Sequence, residues 1–197
     1  LPAIQRPYDW GERNKKQEFI YKLFDSLIRR YPIGTLIIWK TDKEIPFRDF
    51  LGDYDSEKLE KIKDKGQWRN PNKHLVYDGQ QRIQSLYSCL KHTFHGSVLC
   101  FDLFFDKEAI KEAKGFKFFE KNVEIEPRYL RLNELYTCNK NQETEFEDNL
   151  LNRFKEKLNT EQTLLVKKNL KNLWNVFVEE DVKLLSYYPL DSKLDET

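Results

Sequence analysis

Five polar residues stand where an apolar segment gives way to a helical pattern: Asp78, Gly79, Gln80, Gln81 and Arg82. Glycine accepts the positive φ of a tight turn and lets another group approach the backbone closely. The first amides of the following helix lack intrahelical partners and carry the positive end of its dipole, so they favour an anion. Arginine adds a fork that holds phosphate through two hydrogen bonds. The turn is therefore expected to bind a phosphate-bearing ligand.

The carboxylate of this turn suggests a metal. Asp78 ends the predicted strand 74–78, and open α/β sheets bind ligands at the carboxyl ends of their strands. The side chain could hold Mg²⁺ or a ribose hydroxyl. In the alternative interpretation Asp78 caps the helix, Gly79 only turns the chain and both glutamines are solvated. A single turn of this kind, taken alone, favours this second interpretation, because strand-to-helix turns often have such residues.

A second dense stretch, "IQRPYDW" at residues 4–10, shifts the balance towards a ligand site. It places Gln5 and Arg6 before a proline and follows them with Tyr8 and Trp10. The two aromatic rings could stack on a nucleobase, or they could pack in a core tied down by the proline. Of the other tryptophans, Trp39 is expected in the core and Trp68 on the surface.

The elements that must position these residues follow from hydrophobic periodicity. The pattern predicts an amphipathic helix over 12–31, and a second helix from 80 to 92 with an apolar face at Ile83, Leu86, Tyr87 and Leu90. Residues 52–73 are polar and basic and predict a short helix followed by a surface loop. Strands are expected at 35–40, 74–78, 97–106 and 115–121, the first of them buried, and the segment 129–136 follows without a predicted strand. After residue 137 the pattern predicts two helices and a closing strand over 182–191.

Composition supports a folded protein. Of the 197 residues, 39% are hydrophobic and 14% are aromatic. Disordered proteins are poor in aromatic residues, so this composition excludes that class. Residues 1–140 carry 26 basic and 21 acidic residues, whereas 141–197 carry 8 and 12. The asymmetry indicates either an anion-facing first part and an acidic helical second part or ordinary solvated faces, and charge alone does not decide between them. No apolar run is long enough for a membrane span and no signal peptide is visible, which predicts a cytoplasmic protein without a membrane partner. The three cysteines and three histidines lack metal-ligand spacing and are expected to be structural.

Three separated motifs carry a family resemblance: "IQRPYDW", "YPIGTLIIW" and "VYDGQQRIQSL". In order and spacing, residues 1–137 resemble the N-terminal domain of GmrSD-type restriction endonucleases, a module marked by a DGQQR motif. The resemblance implies an α/β (α+β) domain of the ParB/sulfiredoxin-like type, with a small mixed sheet and flanking helices. It also implies that residues 138–197 begin a helical extension that is truncated here, in a longer protein.

The resemblance further implies an NTP-binding and NTP-hydrolysing domain that regulates DNA cleavage by a C-terminal HNH-type nuclease domain or subunit. The implied nucleotide site comprises Gln5, Arg6, Tyr8, Asp78, Gly79, Gln80, Gln81 and Arg82. Within it Asp78, Gln81 and Arg82 are the expected catalytic residues, and Asp78 is the expected ligand of Mg²⁺. The chain lacks the Walker A pattern, so an NTPase here would depend on this other turn.

Two alternatives bear on the same residues. The chain could instead contact the DNA backbone or sense modified DNA without nucleotide turnover, through the arginines of the two motifs and the basic segment 52–73. A sulfiredoxin-like reductase is disfavoured because the turn holds Gln80 and Gln81 where that chemistry needs a cysteine, and Cys89 is expected to be buried. No nuclease cluster is visible in the sequence.

Overall fold

A computed structural model of the chain describes residues 9–10, 17–41, 47, 49–55, 73–154, 158–179 and 185–190. Five α-helices and six strands occur in this described part, which confirms the mixed α/β class. The helices are α1 (Gln17–Ile28), α2 (Gln80–Lys91), α3 (Leu132–Tyr136), α4 (Glu143–Leu151) and α5 (Thr160–Phe177). The strands are β1 (Thr35–Thr41), β2 (Lys73–Asp78), β3 (Ser97–Asp102), β4 (Phe116–Glu120), β5 (Tyr129–Arg131) and β6 (Ser186–Leu190).

The strands form two three-stranded sheets where a single small sheet was expected. The first has the order β2-β1-β6, with β2 antiparallel and β6 parallel to β1. The second has the order β4-β3-β5 and is antiparallel throughout. Because β2 runs antiparallel to β1, Asp78 pairs with Ile37 near the start of β1. The rule for ligands at parallel strand ends therefore does not apply to this turn.

The core lies between the helices and the second sheet. Apolar side chains spaced at three and four residues along α1 bury one face of that helix, as the sequence predicts. They pack with residues from β3, β4, α3 and α5 in one cluster that includes Phe24, Phe101, Leu135 and Trp174. Phe19 was expected on the same face but is 46% exposed.

Residues beyond 137 belong to the same core. Asn169 donates from Nδ2 to the carbonyls of Leu103 and Phe105 at 2.9 and 2.8 Å, and Asn172 donates to the Ile28 carbonyl at 2.8 Å. The predicted closing strand is confirmed as β6, which pairs with β1. The division into 1–137 and 138–197 stays a prediction, and described residues from both ranges share one hydrophobic cluster.

Several predicted boundaries differ from the structure. Residues 12–16 of the first predicted helix and most of the segment 52–73 lie outside the described residues. The strand expected over 97–106 ends at Asp102, because the backbone turns there and the Phe104 amide donates to the Asp102 carboxylate at 3.0 Å. In β1, expected to be buried, only Leu36 and Thr41 are buried, and Trp39 is half-buried. Among the described residues, no helix has the length and apolar character to cross a membrane.

Helix α1 ends earlier than predicted, at Ile28, because Arg30 adopts a left-handed conformation with φ 60°. The Arg30 and Tyr31 amides donate to the carbonyls of Leu27 and Ser26, which closes the helix. Glycine normally occupies such a position, since a side chain there costs conformational energy.

Arg30→Gly is therefore expected to raise the free energy of unfolding by roughly 0.5–1 kcal/mol, because the relief of left-handed strain exceeds the entropic cost of glycine. Urea denaturation of the variant and the wild type measures this difference. A variant less stable than the wild type would show that the Arg30 side chain makes a stabilising contact that outweighs the strain.

Candidate functional site

The predicted phosphate turn is a sharp strand-to-helix junction. Gly79 has φ 86° and serves as the N-cap of α2, with no side-chain hydrogen bond to cap the helix. The Asp78 side chain is 65% exposed, and its Oδ2 lies 3.6 Å from Arg82 Nη2. The alternative in which Asp78 caps the helix is thus wrong. The junction combines an exposed carboxylate with the amino end of a 12-residue helix.

The guanidinium of Arg82 joins this junction to the loop between α1 and β1. Nη1 donates to the Ile33 carbonyl at 2.6 Å, and Nη2 donates to the Thr35 carbonyl at 2.9 Å. Both terminal nitrogens that were expected to form a phosphate fork thus bond to backbone. Only 19% of the Arg82 side chain is exposed. The described contacts make Arg82 a structural connector, and its part in ligand binding stays a prediction.

Two glycines of positive φ leave room for that guanidinium. A Cβ on Gly34, which has φ 92°, would lie 2.5 Å from Arg82 Nη1. A Cβ on Gly79 would lie 3.1 Å from Arg82 Nη2 and would also clash with Leu36 Cδ2. Side chains at either position would therefore disturb the arginine contacts as well as strain the backbone. Gly79 is therefore needed both for the positive φ of the turn and for close packing against Leu36 of β1.

Gln81 brings the N-terminal segment to the same junction. Its Oε1 accepts hydrogen bonds from the backbone amides of Asp9 at 2.8 Å and Trp10 at 3.3 Å. Gln5, Arg6 and Tyr8 lie outside the described residues. Because Asp9 and Trp10 directly follow them in the chain, this contact places the end of the second motif against the first. The glutamines are not solvated, since Gln80 is 8% and Gln81 7% exposed.

The buried face of α2 is polar, which hydropathy did not predict. Ile83, Leu86 and Leu90 are only half-buried and Tyr87 is 37% exposed. The buried residues of the helix instead form a mostly polar stripe along one side: Gln80, Gln81, Gln84, Ser85, Ser88 and Cys89. Leu86 and Leu90 of the predicted apolar face do pack against the core, but the fully buried face is the polar one. Side-chain hydrogen bonds to backbone compensate the burial of its polar groups.

Gln84 is the central member of this stripe and was missed at the level of sequence. Its Oε1 accepts from the Leu51 amide at 3.0 Å, and its Nε2 donates to the Leu51 carbonyl at 2.6 Å. Ser88 donates to the same carbonyl at 3.0 Å. The buried residues of α2 form adjacent pairs that recur every four residues along the sequence. Positions four residues apart share one face of a helix, so this spacing is a signal that could have revealed the stripe.

A small apolar recess adjoins the arginine. Trp10 stacks on Phe19, with ring centroids 5.7 Å apart and an interplanar angle of 20°. Together with Leu23, Ile33 and Arg82 they line a cavity of about 260 Å³. That volume is below the range usual for a whole drug-sized ligand, so the recess can take at most part of a nucleotide.

A larger cavity of about 1060 Å³ lies elsewhere, between the 124–134 segment and the start of α5. Arg128, Arg131 and Arg153 line it, but Arg128 is paired with Asp102 and Arg153 with Glu134. It contains none of the predicted site residues. The turn at Asp78 combines a carboxylate, an arginine and the amino end of a helix, and it is therefore the better candidate site.

The cysteines are consistent with a structural role. Cys89 and Cys100 are 2% and 0% exposed, and all three cysteines are free thiols. Burial raises the pKa of Cys89 far above its usual range and that of Cys100 to about 12, because the thiolate loses its hydration. Burial, followed by the charge of Glu134, also raises the pKa of Cys138. These thiols are poor nucleophiles, which argues against reductase chemistry.

Comparison with known proteins agrees with the motifs. A search of curated proteins returned no match to this chain. The family model described as the GmrSD restriction endonuclease, N-terminal domain, matches residues 1–197. This match extends beyond the 1–137 range of the motifs and includes the helices and the strand that complete the core. The chain belongs to the family of GmrSD restriction endonuclease N-terminal domains.

Proposed function

We propose that this chain is the nucleotide-dependent regulatory domain of a restriction system, and that it binds an NTP with Mg²⁺ at the turn from Asp78 to Arg82. The family assignment supports the restriction role. The observation that carries the nucleotide site is the contact of Gln81 with Asp9 and Trp10, which joins the two motif segments at one helix end. Neither segment alone offers such a convergence of polar and aromatic groups.

Phosphate binding follows from the local electrostatics. The amino end of α2 carries a partial positive charge. Gly79, Gln80 and Gln81 are buried, so a ligand would approach this helix end from the side of the exposed Asp78 carboxylate. Arg82 adds a full charge next to Asp78 while its terminal nitrogens stay bonded to Ile33 and Thr35. Gln5 and Arg6 would extend the site from the N-terminal side, and Tyr8 or Trp10 would contact the base.

The carboxylate of Asp78 fits a magnesium ion bound mainly by phosphate and water. Within the described ranges no group of three His, Cys, Asp or Glu side chains could hold a metal ion. Mg²⁺ in nucleotide sites often keeps several waters and takes one or two carboxylates, so Asp78, 65% exposed, would suffice together with the phosphates. When bound, the ion would neutralise phosphate charge.

Hydrolysis would then depend on positioning. Phosphoryl transfer needs charge stabilisation and alignment more than covalent chemistry by the protein. Asp78, Gln81 and Arg82 are the proposed catalytic residues. Asp78 would hold the ion, Arg82 would offset negative charge on the phosphates, and Gln81 would contact the reacting phosphate while its Oε1 accepts from the amides of Asp9 and Trp10. A nuclease domain or subunit that follows would cleave DNA under this control.

A thermal-shift series with ATP, GTP, CTP and UTP, with and without Mg²⁺, tests the binding step. A nucleotide present at about 100 times its Kd stabilises the folded state by about 2.7 kcal/mol. For a domain of this size that raises Tm by about 5–11 °C. Asp78→Asn should lose most of the Mg²⁺-dependent shift and should itself fold normally, because the side chain is largely exposed.

Glu120→Gln serves as the control, since it removes the same charge from an exposed residue at the end of β4. It should keep the full shift. The proposal fails if no nucleotide raises Tm, or if Asp78→Asn retains the same Mg²⁺-dependent shift as the wild type.

A further inference from the structure

A cluster of basic residues surrounds the carboxyl end of α1 and includes none of the residues of the nucleotide turn. The Ile28 carbonyl accepts from Lys107 Nζ at 3.1 Å and from Asn172 Nδ2 at 2.8 Å. Lys168 lies one helical turn before Asn172 on α5. Arg30 follows Ile28 by two residues. Three separate segments therefore bring positive charge to one place.

The charges are close enough to influence one another. The pKa of Lys107 is lowered, first by burial and then, against the opposing charge of Glu108, by the positive charges of Lys168, Arg30 and Arg29. Arg29 is already paired with Asp25 at 2.7 Å, so it adds little to the surface. Within the described part of the chain, neither Arg30 nor Lys168 takes part in an ion pair, and both are exposed.

Arg30 also occupies a position where glycine would be easier to accommodate, with φ 60°. A charged residue is thus kept in a strained conformation next to other uncompensated cations. Strain of this kind is a reason to look for function at the residue that carries it.

We propose that Arg30, Lys107 and Lys168 form a binding surface for the phosphate backbone of a nucleic acid. Neither of the two cavities includes these residues, so the surface suits a polyanion that lies across it better than a single nucleotide. Lysine and arginine contacts of this type are independent of base sequence and release counterions from the nucleic acid. This surface shares no residue with the turn at Asp78, and the proposal does not depend on nucleotide binding there.

Fluorescence anisotropy of the 197-residue chain with a labelled 20-base-pair DNA duplex tests the surface between 50 and 200 mM salt. Three phosphate contacts predict a slope of log affinity against log salt near −2.7, at about −0.9 for each contact. Arg30→Gly and Lys168→Gln should each weaken binding at 50 mM salt by about three- to tenfold and reduce the slope by about 0.9. Lys107 is not replaced, because its ammonium also holds the end of α1.

Lys167→Gln is the matched control. Lys167 neighbours Lys168 on α5 and is paired with Glu147 at 2.7 Å, so the variant changes the net charge equally without touching the surface. The control should bind duplex like the wild type. The proposal is overturned if the wild type does not bind duplex at 50 mM salt, if Arg30→Gly and Lys168→Gln retain the wild-type slope, or if Lys167→Gln weakens binding as much. Anionic vesicles that displace the duplex and bind more tightly would also overturn it, in favour of a membrane surface.

Discussion

Arg82→Ala is expected to lower the free energy of unfolding by about 3 kcal/mol. The substitution removes two hydrogen bonds from a charged donor and leaves the carbonyls of Ile33 and Thr35 without these partners. It also opens the space that Gly34 and Gly79 leave for the guanidinium. Urea denaturation followed by circular dichroism measures the loss. Arg82→Lys should recover only part of it, because an ammonium cannot reach both carbonyls with the geometry of the planar fork.

Arg153→Ala is the control for this result. Arg153 makes one ion pair, with Glu134 at 2.9 Å, and its side chain is 41% exposed. Loss of such a surface pair is expected to cost less than about 1 kcal/mol. If Arg82→Ala were no more destabilising than Arg153→Ala, Arg82 would not be the structural connector inferred from its contacts.

Gly79→Ala is expected to destabilise the chain by a similar amount, about 3 kcal/mol. Alanine is strained in the left-handed conformation of this position, and its Cβ would clash with Leu36 and crowd the Arg82 guanidinium. Relief of that clash would move β1 away from the start of α2. Chemical denaturation gives the magnitude, and nucleotide binding should fall in parallel because the helix end is displaced.

Gly96→Ala separates strain from steric conflict. Gly96 also has positive φ, 72°, but a Cβ built there has no atom within 4 Å. It should therefore cost only about 1 kcal/mol from backbone strain. Equal losses at the two positions would mean that contact with Leu36 and Arg82 contributes nothing at Gly79.

The sequence predicts a helix or strand of this fold well where the spacing of its hydrophobic residues and the turn residues at its ends indicate the same element. The helix that contains Phe24, the strand that ends at Asp78 and the helix that starts at Gln80 all follow from such local signals. The turn itself was also predictable, because glycine at the strand-to-helix junction has a conformational reason.

The partners of the motif side chains could not be predicted in the same way. Arg82 bonds to carbonyls 47 and 49 residues away, and Gln81 to amides 71 and 72 residues away. Hydropathy also missed the most buried face of α2, where Gln84 is buried through its hydrogen bonds to Leu51. Helical spacing could have revealed the polar stripe, but its hydrogen-bond partner at Leu51 is a tertiary contact that no local pattern encodes.

The most direct test of the nucleotide site is hydrogen–deuterium exchange of the unmodified chain with and without saturating NTP and Mg²⁺. It needs no substitution, so it does not confuse loss of ligand with loss of fold. If the turn binds nucleotide, exchange should slow in peptides that contain Asp78 to Ile83 and Asp9 to Trp10, where the two motif segments meet. Protection that is absent at saturating nucleotide, or that is confined to the cavity lined by Arg131 and Arg153, would contradict it.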